Sequence, residues 1–259
     1  MKGVKMILAI DIGNTNIVLG CIEGKKIRFI ERLSTDKGKT ELEYAIHLKN
    51  VLELYDVKEG ELEGGILSSV VPQITDLFRR AAEKVIRVPV KVVGPGLKTG
   101  LNIIMDNPGS VGSDLVVDAV AAMKEYPLPL VIVDMGTATT VCVVNSKGNY
   151  VGGMILPGVR TSLDALVSNA AQLSQISLEA PKKIIGTNTI DCMKSGVIHG
   201  NASCIDGLID RIEKELGEPC TAVATGGLAK VIIPYCRRKV ILDDDLLLKG
   251  LQIIYDKNR

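Results

Sequence analysis

At two places in this chain an aspartate two residues ahead of a glycine comes just after a short apolar run. The first copy is Ile10-Asp11-Ile12-Gly13-Asn14-Thr15-Asn16, after Met6–Ile10, and the second is Val133-Asp134-Met135-Gly136-Thr137-Ala138-Thr139, after Leu128–Val133. A β-branched run follows both, so each reads as strand, tight turn, strand. At such a bend the glycine leaves backbone N–H groups bare, and a phosphate can approach them closely. The aspartate can hold a metal ion that bridges phosphate oxygens. Two such turns facing each other would make a cleft for a nucleotide. A third bend follows a strand ending at Val223-Ala224, where Thr225-Gly226-Gly227-Leu228-Ala229 turns into a short helix.

The elements that must carry these bends follow from apolar spacing. Residues 6–33 read as a β-meander turning at Glu23-Gly24, and 40–55 have helical spacing. Gly65 to Val71 reads as a buried strand, 72–84 as a helix opened by Pro72, and Val90–Val93 as a strand. Gly94 to Gly100 reads as a loop, and Ser110 to Tyr126 as a helix opening at Ser113-Asp114. The second half repeats the order: strands 129–134, 139–144 and 150–155, helices at 159–172 and 188–216, and a last helix opened by Asp243-Asp244-Asp245. Strand-rich starts and helical ends in both halves imply two duplicated α/β domains, with the boundary within 117–128.

Composition excludes several functions. The 259 residues, 46% apolar, suffice for one large or two smaller cores. Net charge is +1, there is no Trp and there are two Phe, so no nucleic-acid platform is expected. Met1-Lys2-Gly3-Val4-Lys5 precedes an apolar run that Asp11 cuts short, too brief for a leader core or a membrane span. Six cysteines at 21, 142, 192, 204, 220 and 236 form no C-x-x-C, and the two histidines, His47 and His199, complete no zinc spacing. Scattered single cysteines suggest a reducing, cytoplasmic setting with most of them buried. His199 reads as an ordinary helix residue. No Walker-type loop occurs, and Gly94-Pro95-Gly96-Leu97-Lys98-Thr99-Gly100 has the wrong spacing for one. There is no Gly-x-Ser-x-Gly elbow.

In their order, the three bends resemble the two phosphate motifs and the adenosine motif of the actin-like ATPase and sugar-kinase superfold. That implies two duplicated ribonuclease H-like (actin-like ATPase) domains, 1–118 and 119–259, with the nucleotide cleft between them. A closer resemblance runs over nearly the whole chain. Asp11-Ile-Gly-Asn-Thr15, Gly65-Ile-Leu-Ser-Ser-Val-Val-Pro72, Val93-Gly-Pro-Gly96, Thr99-Gly-Leu-Asn-Ile103, Asn107-Pro108 and Gly112-Ser-Asp114 are similar to type III pantothenate kinase. So are Val133-Asp-Met-Gly-Thr137, Gly152-Gly-Met-Ile-Leu-Pro-Gly158, Gly186-Thr-Asn-Thr189 and Ala224-Thr-Gly-Gly-Leu-Ala-Lys230. The resemblance implies ATP-dependent phosphorylation of pantothenate to 4'-phosphopantothenate, the first step of coenzyme A biosynthesis, by a cytoplasmic homodimer that needs Mg²⁺ and a monovalent cation, K⁺ or NH₄⁺. No nucleic acid or membrane partner is implied.

Residue roles follow from the same resemblance. Asp11 would hold Mg²⁺, and Asp134 the monovalent cation. Ile12, Gly13, Asn14, Thr15, Asn16, Ile17 and Val18 would line the ATP phosphates, with Thr137 as second phosphate contact and Gly226 and Gly227 admitting adenosine. Met105, Gly112, Ser113, Asp114, Leu115 and Thr189 fall at acceptor positions. Asp114 resembles the general base. Its residues alone read equally well as a favourable acid at a helix N-terminus. Asp118, four residues on, reads either as a second carboxylate in the cleft or as a solvated or capping one.

The match departs in the acceptor half. The family's Gly-x-Asp-Arg is Gly112-Ser113-Asp114-Leu115 here, and Met105 stands where a Tyr is common. An Arg–carboxylate contact is worth roughly 1.5–3 kcal/mol, and Arg160 and Lys98 are the candidates to replace it. Three readings fit: a pantothenate kinase with a rearranged carboxylate contact, a same-fold kinase of another small alcohol, and a non-catalytic nucleotide-binding homologue acting as a regulator. Asp11, Asp114, Asp134 and Thr137 favour catalysis, while Leu115 and Met105 keep the others open.

Overall fold

The computed structural model describes residues 6–259, so the expectation for Met1–Lys5 lies outside the described residues. The first unit is built from β1 (Met6–Ile12), β2 (Asn16–Glu23), β3 (Lys26–Ser34), α1 (Glu41–Leu54), β4 (Leu62–Ser69), α2 (Pro72–Ile86) and β5 (Val90–Val92). Its sheet runs β3-β2-β1-β4-β5. β1 is antiparallel to β2 and parallel to β4. A strand covered on both faces reads as a continuous apolar run, and Met6 to Ile10 are all buried. α1 begins with a reciprocal capping box, Thr40 with Glu43, and α2 with Pro72 in its first turn. Tyr44 of α1 meets Phe78 of α2 edge-on, ring centroids 5.0 Å apart.

The second unit holds β6 (Asn102–Ile103), β7 (Leu130–Met135), β8 (Ala138–Val144), β9 (Asn149–Pro157), α4 (Val159–Asn169), α5 (Thr189–Leu216), β10 (Thr221–Thr225), α6 (Ala229–Ile232) and β11 (Val240–Leu242). Its sheet runs β11-β10-β7-β8-β9-β6, so β9-β8-β7-β10-β11 repeats the first sheet's order with the same parallel and antiparallel pairs. The duplication read from two bends is therefore a duplication of sheet topology. β6 and β11 are extra to the expected strands; at two and three residues they are too short to show a two-residue period. α5 starts on Asn188, which accepts from the Asp191 N–H, and ends on Gly217 at φ +76°.

The two compact units interleave along the chain. The first comprises 1–100, 107–121 and 247–259, and the second 101–106 and 122–246. α3 (Ser113–Glu125) thus starts in the first, and nearly all of α7 (Leu246–Lys257) returns to it. Glycines make room for that return. A Cβ on Gly20 of β2 would sit 2.8 Å from the Leu248 methyls. One on Gly64 of β4 would overlap the Tyr255 hydroxyl, and one on Gly250 would overlap the Val117 carbonyl of α3.

The cysteines correct one expectation. All six are free thiols, but only Cys21 and Cys142 are buried; Cys192 and Cys204 are exposed and Cys220 and Cys236 lie between. Burial pushes the Cys21 thiol up to about 11. Among the described residues no helix is long and apolar enough to cross a membrane.

Candidate active site

Both Asp-x-Gly bends are hairpin turns at the end of a central strand. Asp11 lies in β1 opposite Val18, and Asp134 in β7 opposite Thr140. Both are half-buried. The glycine amides are not bare, which corrects the sequence reading: Gly13 N–H donates to the Asn16 carbonyl at 3.0 Å, and Gly136 N–H to that of Ala138 at 3.0 Å. These bonds close the hairpins, so any amide offered to a phosphate must come from the turn tip. Asn14, Thr15, Asn16 and Thr137 form those tips and are exposed. Ile12 and Ile17 are completely buried in the first core, which leaves them only backbone to offer a ligand, and Val18 is half-buried.

Each turn is also held from behind by a threonine that the sequence reading did not single out. In the first unit Thr35, just past β3, donates its hydroxyl to the Gly13 carbonyl at 2.7 Å and its N–H to the Thr15 carbonyl at 3.0 Å. In the second unit the Thr137 carbonyl accepts from Gly158 N–H at 3.2 Å and from the Thr161 hydroxyl at 2.8 Å. Nothing in the spacing marks Thr35 and Thr161, since their sequence surroundings differ.

The first unit also brings Asp114 close to the strand beside Asp11. In the parallel β1–β4 pair Asp11 stands opposite Ser68 and Ile12 opposite Ser69. Ser113, first residue of α3, bonds to both serines: its Oγ lies 3.0 Å from Ser68 Oγ, accepts from Ser69 N–H at 3.0 Å and donates to the Ser69 carbonyl at 2.9 Å. Asp114 follows at the helix N-terminus, and its Oδ1 accepts from Leu115 N–H at 2.8 Å. Burial raises the pKa of Asp114, and backbone N–H donors, Leu115's first among them, partly offset the rise. A Cβ at Gly112 would stand 2.5 Å from Asp114 Oδ1, so a side chain there would displace this carboxylate from its present position. Asp118 is 1% exposed, deep in the middle of α3, and neither solvated nor capping.

The second unit gathers Asp134, Gly136 and Gly226. β10 runs parallel to β7 with Thr225 opposite Asp134. Gly226 follows at φ +93°, and a Cβ there would overlap Asp134 Oδ1 and the Met135 backbone. A Cβ on Gly136 would come within 3.8 Å of Asp134 Oδ2. The missing side chain at Gly226 thus leaves the Asp134 carboxylate its place, a hard oxygen donor suited to a cation. Gly227 is exposed beside it. Among the described residues no group of three or more His, Cys, Asp or Glu is gathered for a metal. A cation at either Asp11 or Asp134 would meet one carboxylate and would have to draw the rest of its shell from water, phosphate or backbone oxygens.

The acceptor candidates divide between the units: Gly112 to Leu115 belong to the first, Met105 and Thr189 to the second. Leu115 is half-buried, Met105 is 37% exposed, and Thr189 is exposed as the first residue of α5. Arg160 and Lys98 are both exposed, in the second and first unit respectively.

A sequence model described as "Type III pantothenate kinase" matches residues 7–211. A type III pantothenate kinase of Bacillus cytotoxicus is 44% identical over 98% of this chain and 97% of its own length. Among solved structures, the fold is similar to component A of the (R)-2-hydroxyglutaryl-CoA dehydratase of Acidaminococcus fermentans, with TM-score 0.57, 15% identity and 98% and 100% of the two chains covered. It is also similar to the ROK hexokinase of Thermus thermophilus, with TM-score 0.51, 14% identity and 98% and 100% covered.

Proposed function

Because the chain belongs to the type III pantothenate kinase family, we propose how its own residues carry out the ATP-dependent phosphorylation of pantothenate, the first step of coenzyme A biosynthesis. The observation that supports this best is the arrangement in the first unit. A phosphate-type turn ends β1, and a partly buried carboxylate, Asp114, is pinned through Ser113 to the strand beside it.

Asp114 accepts the proton of the primary hydroxyl of pantothenate as that oxygen bonds the γ-phosphorus and the bond to the ADP oxygen breaks. Its raised pKa makes it a better base than an ordinary aspartate, and such a base contributes about 10²–10⁴-fold. Phosphoryl transfer passes through a loose transition state, so positioning and charge stabilisation carry most of the remainder. Asn14, Thr15, Asn16 and Thr137 take the phosphates, and Gly226 and Gly227 leave room for adenosine. Asp11 would hold Mg²⁺ and Asp134 a monovalent cation, K⁺ or NH₄⁺. When bound, these ions supply positive charge against the phosphate oxygens. The duplicated domains are taken as 1–118 and 119–259.

The protein acts as a cytoplasmic homodimer in this reading. Ile155, Ile184 and Ile185 of the second unit are 79%, 64% and 79% exposed, and exposed apolar groups of this size suit a protein interface. A second reading, a kinase of another small alcohol, is favoured by one observation: Leu115 replaces the arginine expected beside Asp114. The test is to incubate the purified protein with ATP, Mg²⁺, K⁺ or NH₄⁺ and pantothenate and to weigh the product. A mass gain of one phosphate on pantothenate is the expected result. No product from folded, ATP-binding protein would pass the assignment to another alcohol.

A further inference from the structure

We propose that Thr35 and Thr161 are positioning residues for phosphate: each fixes the orientation of peptide groups in a turn tip, so that the tip's N–H groups are aimed before a ligand arrives. The inference rests on the phosphate role of the two turns and adds to it the groups that set their geometry.

The physical step is short. A trans peptide is planar, with its C=O and N–H pointing in opposite directions. Fixing the carbonyl therefore fixes the N–H of the next residue. In the first unit Thr35 holds two carbonyls, that of Gly13 with its hydroxyl and that of Thr15 with its N–H. The amides of Asn14 and Asn16 are then both turned away from Thr35. In the second unit the Thr137 carbonyl takes two donors, Gly158 N–H and the Thr161 hydroxyl. The Ala138 amide is turned away from them in the same manner. The Gly13 and Gly136 amides close the hairpins, and the peptide groups that the two threonines hold are those carrying the Asn14, Asn16 and Ala138 amides. Backbone amides held in a fixed direction within a turn can bind an anion.

The device occurs in both units, yet it is assembled differently. Thr35 directly follows β3, whereas Thr161 reaches back from the first turn of α4, where Gly158 takes the backbone part. A Cβ on Gly158 would overlap the Thr137 and Gly136 carbonyls, so that residue is committed to the close approach. Two turns of the same kind reach the same restraint by different residues, which points to the restraint itself.

Calorimetric binding of adenosine, ADP and ATP to the full chain tests this, on wild type, Thr35→Val, Thr35→Ser and Thr161→Val. Valine keeps the β-branch and removes the hydroxyl. Losing one such hydrogen bond should weaken ATP about three- to tenfold. Adenosine affinity and the KM for pantothenate should stay at wild-type values, and Thr35→Ser should restore ATP binding. A general loosening of the fold would lower adenosine affinity as well, and equal losses for adenosine and ATP in Thr35→Val would overturn the proposal. So would unchanged ATP affinity in both valine variants. Should Thr35→Val not fold, Thr161→Val and Thr35→Ser give the same comparison. Failure of the underlying phosphate role would show in the wild type itself, as no gain in affinity from adenosine to ATP.

Discussion

Asp114 stands between opposing influences. Burial raises its pKa, while the helix N-terminus and the Leu115 amide favour its charge. Burial is the stronger, so the acidic limb of kcat/KM should lie above the ordinary aspartate value of about 3.9 and vanish in Asp114→Asn. The same shift has a stability consequence with a definite sign. A carboxylate whose folded pKa is raised binds more protons in the folded state, so stability falls as pH rises from the unfolded towards the folded pKa. Asp114→Asn should therefore raise Tm at neutral pH and leave it unchanged at a pH below both values, which a thermal melt at two pH values checks. Leu115 is the other residue with a clear prediction. If a guanidinium is missing beside the acceptor carboxylate, Leu115→Arg should lower the KM for pantothenate by about ten- to a hundredfold. An unchanged or higher KM would mean a pocket rebuilt around leucine.

Among the elements, α3 matters most, because it carries Asp114 and is held at both ends of its first half. Ser113 ties its start to β4, and Val117 takes the close approach of Gly250 in α7. A glycine-to-alanine change inside a helix ordinarily gains up to about 1 kcal/mol. Here the new methyl meets a backbone carbonyl that cannot swing aside, and overpacking costs about 1–3 kcal/mol. Gly250→Ala should thus destabilise the protein, and chemical denaturation measures it. The strands that carry the bends were readable because each is a short apolar run that stops at a turn signal. α7 was readable as a helix, but its return to the first unit was not: that depends on Gly20, Gly64 and Gly250 each leaving space for a particular distant side chain or carbonyl. The candidate carboxylates stand out by motif position. Thr35, Thr161 and Ser68 do not, because each acts through hydrogen bonds to residues far away in sequence. Asp118 lies one turn on, on the same helical face as Asp114, and its burial removes the solvated or capping reading that spacing alone left open.

For the molecule as a whole, a net charge of +1 offers little electrostatic repulsion between copies. Exposed Ile155, Ile184 and Ile185 give a copy something to bury. Sedimentation equilibrium should return twice the 27.7 kDa chain mass, and Ile185→Lys should shift the balance towards monomer. The duplicated sheets each carry an Asp-x-Gly turn, and the proposed chemistry depends on one further carboxylate, Asp114 of the first unit. The most direct measurement is therefore a paired one on wild type and Asp114→Asn: pantothenate phosphorylation with product mass, and ATP binding by calorimetry. Turnover that falls about 10²-fold or more while ATP affinity holds would agree with Asp114 as the base. Turnover kept at the wild-type rate, or ATP binding lost in a folded variant, would contradict it.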